Sequence, residues 1–135
     1  INYGLTALGL LAAIAFLPRL VTRLRKSGWI EIRELTDRLA QGQVTIIDVR
    51  EPGEFTGPLG HIAQAVNLPL GTLSERMTEI KSMSAETVIL VCRTDRRSAN
   101  AAGLLRKAGF HDVRVLRGGM EAWNRKGLPV QTGTP

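Results

Sequence analysis

Hydrophobic and polar positions divide the chain into two unequal parts. Residues 1–18 carry no charged side chain, and residues 4–17 are apolar on every face that a helix would present. A helix apolar all round belongs in the core of a large protein or in lipid, and a chain of 135 residues is too short for the first. Crossing a hydrocarbon layer of about 30 Å takes about 20 residues. Eighteen uncharged residues stand at that lower limit, and a chain that does not open on Met leaves room for more of the span upstream. A secretory signal would carry its positive charges before the apolar run and a small-residue cleavage site after it. Here Arg19, Arg23, Arg25 and Lys26 follow the run, which by the positive-inside rule holds the next domain on the cytoplasmic side. Residues 1–26 are therefore expected to be an apolar helix anchored in membrane lipid. The alternative is a helix that packs on the domain or on a second copy of it.

From residue 27 to residue 135 the pattern is that of one globular domain. Trp29 and Ile30 open a short strand. Ile32, Leu35 and Leu39 then recur at helical spacing, with Gly42 as the stop. Residues 44–49 are β-branched and continuous, as in a strand covered on both faces. Residues 50–60, with Pro52, Gly53, Gly57, Pro58 and Gly60, read as loop. A weak helix over 73–80 precedes a second buried strand over 87–91. A helix over 97–108, with Ala101, Leu104, Leu105 and Ala108 on its apolar face, ends at Gly109. A strand over 113–116 and a helix over 119–126 close the domain. Alternating strands and helices build an α/β fold, a mostly parallel sheet of about five strands with helices on both faces. Ligands of such sheets bind beyond the carboxyl ends of the strands, here residues 48–50, 92–98 and 117–119.

Charge narrows the partners. Of eighteen Lys and Arg residues, four lie in the flank at 19–26, leaving fourteen against twelve acids in the remainder. The body is nearly neutral, so nucleic acid is not an expected partner. A single cysteine excludes an intrachain disulfide and a Cys-based zinc site.

That cysteine opens the most informative stretch, Cys92-Arg93-Thr94-Asp95-Arg96-Arg97-Ser98. It follows a buried strand directly and a helix begins within a few residues. Helix N-termini and neighbouring cations favour the thiolate. Three arginines and the N–H groups of a tight turn are expected to converge on the sulfur, activating it as a nucleophile and holding an anionic substrate. The alternative, a small hydrophobe at a strand end, leaves the three arginines without a purpose.

The loop resembles the active-site loop of the rhodanese family, in which the nucleophilic Cys, four spacer residues and then Arg-Ser or Arg-Thr follow a central strand. Three further stretches agree. Ile47-Asp48-Val49-Arg50-Glu51-Pro52-Gly53-Glu54-Phe55 is similar to the family's first signature, and Gly60-His61-Ile62-Ala63-Gln64-Ala65-Val66-Asn67-Leu68-Pro69 to its second. Arg117-Gly118-Gly119-Met120-Glu121-Ala122-Trp123 resembles its C-terminal one. The resemblance covers about residues 29–130 and implies a thiosulfate sulfurtransferase. Cys92 takes the outer sulfur of a small anionic or persulfide donor and passes it to a thiol or cyanide acceptor. No cofactor is implied beyond the covalent persulfide on Cys92, and no metal. Arg93, Thr94, Asp95, Arg96, Arg97 and Ser98 would bind substrate, the backbone N–H groups cradling the sulfur and Arg97 favouring an anion. Four spacers fit a sulfur-sized loop, whereas phosphatases of this fold have five.

Asp95 departs from the Gly that many relatives carry at the third spacer. If the turn needs positive φ there, Asp tolerates it, but its carboxylate opposes ionisation of the thiol unless Arg93 or Arg96 neutralises it. Arg50, a further candidate for substrate contact, is expected to pair with a carboxylate such as Glu54, and Asp48 to bond backbone amides of neighbouring loops. His61 is expected to pack near the site without catalytic duty, His111 to lie on the surface, and Gly118 and Gly119 to turn the chain into the last helix. The competing function is a non-catalytic anion-sensing or docking module at the membrane, which has no need of Cys92 together with Arg97.

Overall fold

The computed structural model describes residues 28–42, 44–83 and 87–133. The apolar helix and membrane anchor expected over residues 1–26 lie outside them. Among the described residues no helix is long and apolar enough to cross a membrane.

Five strands form one sheet in the order β1-β5-β4-β2-β3: β1 (Trp29–Ile30), β2 (Val44–Asp48), β3 (Val66–Asn67), β4 (Thr87–Val91) and β5 (Asp112–Leu116). Every neighbouring pair is parallel, so all carboxyl ends share one edge. The two outermost strands are two residues long, which leaves little edge open to further pairing. Central β4 is buried along its whole length, the pattern of a strand covered on both faces.

Alternation along the strands sorts the core into two layers. Ile47, Val88, Leu90, Val113 and Val115 face α3 (Met77–Met83) and α4 (Arg96–Lys107), packing with Ile80, Ala101, Ala102 and Leu105. Ile46, Ile89, Val91 and Leu116 face α1 (Ile32–Gln41) and α5 (Gly119–Arg125), packing with Ile32, Leu35, Met120 and Trp123. Cys92 continues the register of Val88 and Leu90 and joins the first layer. Gly42 caps α1 in the left-handed region, donating its N–H to the Leu39 carbonyl, as its place after the periodic run indicates.

Three local features differ from the sequence expectation. The connection after β2 contains a short helix, α2 (Pro52–Phe55). It is started by Pro at its first turn and by a reciprocal box in which Glu51 and Glu54 each accept from the other's backbone N–H. The two-residue strand β3 is too short to show a period. The weak helix divides at Arg76 into a 3-10 turn (Leu70–Glu75) and α3.

The carboxyl end of β2 is braced by a buried ion pair. Arg50 Nε donates to Asp48 Oδ1 at 2.9 Å and Arg50 Nη2 to Asp48 Oδ2 at 2.8 Å, and both residues are 1 % exposed. The partner of Arg50 is thus Asp48, and Glu54 contributes only its carbonyl oxygen, at 3.2 Å from Nη1. Nη2 also donates to the Gly60 carbonyl at 2.7 Å. Removing one member leaves the other charge buried and unpaired. Asp48→Ala is therefore expected to lower stability by about 3–5 kcal/mol, read from the urea midpoint against wild type.

Candidate active site

Cys92 sits one residue beyond β4, in the centre of the sheet, and is 1 % exposed. Residues 93–95 turn the chain into α4, whose first N–H groups, like those of any α-helix, have no partner within the helix. The last turn of the loop closes with Ala99 N–H on the Asp95 carbonyl at 2.9 Å.

The N-terminus of α5 fixes the other side of the loop. Met120 N–H donates to the Cys92 carbonyl at 2.9 Å and Glu121 N–H to the Arg93 carbonyl at 3.0 Å. In a trans peptide the N–H points opposite to the C=O of the same unit, and the described residues contain no cis bond. The N–H groups of Arg93 and Thr94 are thereby turned away from α5. Such close approach needs glycine. A Cβ on Gly119 would overlap the carbonyls of Cys92 and Thr94, and Gly118 and Gly119 both have positive φ, 78° and 54°. The turn does not need positive φ at Asp95, whose φ is −149°, and the strained positions lie on the neighbouring turn.

The arginines do not converge on the sulfur as the sequence suggests. Arg93, well exposed, bridges Glu121 at 3.1 Å. Arg97 forms a bidentate bridge with Glu54, Nη1 to Oε1 at 2.6 Å and Nη2 to Oε2 at 2.9 Å. That hydrogen-bonded bridge holds the Glu54 carboxyl below its ordinary range. It likewise raises Arg97 above its ordinary value. Thr94 and Asp95 are half-buried, Arg96 is exposed, and Ser98 is fully buried in the first turn of α4. The Ser98 hydroxyl has no hydrogen-bond partner, alone among the buried side-chain polar atoms of the described residues.

Arg50, with Nε, Nη1 and Nη2 all engaged, braces the loop after β2 and is held away from solvent. His61 is buried, stacks on Phe55 with ring centroids 3.7 Å apart, and donates from Nδ1 to the Phe55 carbonyl. It packs as expected. His111 is exposed. Glu54 was not singled out from the sequence as a site residue. Its signal was the spacing Glu51-Pro52-Gly53-Glu54, a capping box hidden in a segment read as loop. No group of three or more His, Cys, Asp or Glu able to hold a metal occurs among the described residues.

A buried thiol at the carboxyl end of the central strand, wrapped by a loop that runs into a helix N-terminus, defines a class of α/β domains built around one cysteine loop. Residues 31–126 match the family model of the rhodanese-like domain, and the chain belongs to that family. It is 37% identical over 102 residues to a sulfurtransferase of Allochromatium vinosum, covering 75% of this chain and 92% of that protein. It is 40% identical over 90 residues to an uncharacterized protein of Synechocystis, covering 67% of this chain but only 48% of that protein, so the match spans about half of that relative's length. The human single-domain sulfurtransferase TSTD1 shares the fold, with a TM-score of 0.66 at 23% identity over 74% of this chain and 97% of that one.

The contact between α5 and the loop should be intolerant of a single methyl group. Gly119→Ala is expected to lower stability by about 1–3 kcal/mol, measured by urea unfolding against wild type.

Proposed function

We propose that the chain moves sulfane sulfur through a persulfide on Cys92, taking it from a donor such as thiosulfate or an alkyl persulfide and delivering it to cyanide or a thiol. One observation carries the reading: Cys92 is buried inside a loop whose carbonyls are held outward by two N–H donors of α5. A cysteine serving only to fill space has no need of a backbone fixed in this way.

The Cys92 thiolate attacks the outer sulfur of the donor. The donor S–S bond breaks, and its electron pair leaves with sulfite from thiosulfate, or with a thiolate from a persulfide. A new S–S bond joins Cys92 to the transferred sulfur. The acceptor then attacks that terminal sulfur and releases the Cys92 thiolate, so no net oxidation occurs. Loop N–H groups at the N-terminus of α4 favour the negative charge on the carried sulfur. The unpartnered Ser98 hydroxyl supplies a further donor in the same turn. His61, committed to Phe55, has no part in the reaction, because a thiolate needs no general base to attack.

The charge pattern supports a second element of the proposal. The uncharged residues 1–18 and the bases at 19–26 tether the domain to a membrane, with the domain on the cytoplasmic side. The full chain, expressed in bacteria and fractionated without detergent, is expected in the membrane pellet. Recovery wholly in the soluble fraction would remove the tether.

The activity is tested on the full chain by thiocyanate formation from thiosulfate and cyanide, beside Cys92→Ser, with intact-mass measurement after donor treatment. The wild type should turn over and gain one sulfur atom in mass, and the serine variant should do neither. Folded wild-type protein that takes up no sulfur from thiosulfate or from persulfides would sink the enzyme reading in favour of a docking module.

A further inference from the structure

Two of the three loop arginines are engaged by carboxylates that the fold brings to them. Arg97 gives both Nη groups to Glu54. Arg93 is bridged to Glu121, and Asp95 lies in the loop beside Arg96. Arg50, the next cation behind them, is engaged by Asp48. Two of the three loop arginines, Arg93 and Arg97, are thus bridged by carboxylates, and the bidentate bridge is the one made from the first turn of α4.

Glu54 is not a loose surface carboxylate. Its Oε1 accepts from the Glu51 N–H at 3.3 Å, and its carbonyl accepts from Arg50. The residue is therefore held at both backbone and side chain while its carboxylate meets Arg97. An anionic donor that called on the Arg97 guanidinium would have to displace this carboxylate or share the fork with it.

The two donor classes differ in what they ask of such a site. Thiosulfate brings a dianion against a thiolate and leaves as another dianion, sulfite. An alkyl persulfide, R–S–SH, brings at most one charge at its sulfur pair. Attack by Cys92 on the outer sulfur breaks the R–S–S bond, releases R–S⁻ with the electron pair, and leaves the outer sulfur with its proton on Cys92. Nothing else is consumed.

We propose that Glu54, by occupying the fork of Arg97, is a specificity-determining residue that biases the Cys92 site toward alkyl persulfide donors and against dianionic thiosulfate. Glu54 touches neither the sulfur nor the donor. It acts through Arg97 and is a positioning residue. The inference rests on the sulfur-transfer reading above and names the donor class of that reaction.

Single-turnover sulfur uptake by the full chain, followed by intact mass, tests it with thiosulfate and with 2-hydroxyethyl persulfide. Gln at position 54 keeps an oxygen for the Glu51 N–H and loses the charge. In Glu54→Gln the second-order rate constant for thiosulfate should rise about tenfold, a modest effect for one unscreened charge near a dianion, while that for the persulfide stays within about twofold. The rise should vanish when Arg97→Gln is added. The charge has its own signature, because attraction between exposed charges is screened by salt. The thiosulfate rate of wild type should be flat with ionic strength and that of Glu54→Gln should fall.

A wild-type rate that drops steeply with salt would show a site already attracting the dianion, and would overturn the proposal without any variant. So would an equal loss of both donors in Glu54→Gln, or a rise that persists without Arg97. Failure of wild type to take up sulfur from either donor is a different result, and defeats the sulfur-transfer reading itself.

Discussion

The buried Asp48–Arg50 pair is the constraint from which the site is assembled. A charge removed from water is tolerated only when its partners are close and its remaining donors are used. Arg50 meets that condition through Asp48, the Glu54 carbonyl and the Gly60 carbonyl. Those two carbonyls lie four and ten residues beyond Arg50 itself, so the pair gathers the whole connection after that strand onto the sheet edge. It thereby sets α2, and α2 sets the Glu54 carboxylate. From there the bridge to Arg97 reaches the first turn of α4 and the cysteine loop. The order of dependence runs from a strand end, through a buried ion pair, to a half-exposed one.

Much of this was legible in the chain. The strands over 44–49 and 87–91 announce themselves as β-branched runs. Gly42 and Gly109 mark helix ends, and the three stretches at strand ends converge as a parallel sheet requires. Partner choice was harder to read. Arg50 and Glu54 are four residues apart, which suggests a pair, but the side chain two residues upstream of Arg50 lies on the same face of the chain and is buried with it. Three arginines in five residues suggested a cationic pocket. Sequence spacing does not show that Glu121 and Glu54, distant along the chain, arrive to meet two of them. Long-range ion pairs depend on which helices the sheet brings together, and local patterns carry no record of that.

The strained backbone lies where the glycines stand. The third spacer, Asp95, where the sequence leaves positive φ open, has φ −149°. The fold puts positive φ on Gly118 and Gly119, the pair expected to turn the chain into the last helix, in the turn that presses on the loop from β5. One helix N-terminus, that of α5, uses its first donors on the loop's carbonyls, and the other, that of α4, continues the loop itself with first donors free of intrahelical bonds. The loop is shaped from outside, by the helix that follows β5.

Burial of the thiol and neutrality of its surroundings have linked consequences. The thiol is buried, whereas the Glu54–Arg97 bridge is only partly covered, its side chains 35 % and 32 % exposed, so its influence on an approaching anion is weakened by solvent and by salt. A loop that stabilises its sulfur mainly through fixed backbone dipoles keeps that stabilisation whatever side chains surround it. The arginines and their acids are then available for a separate task, deciding which donors approach. On the sulfur-transfer proposal, the backbone supplies the anion-holding dipoles, and the side-chain pairs are what distinguishes one sulfur donor from another.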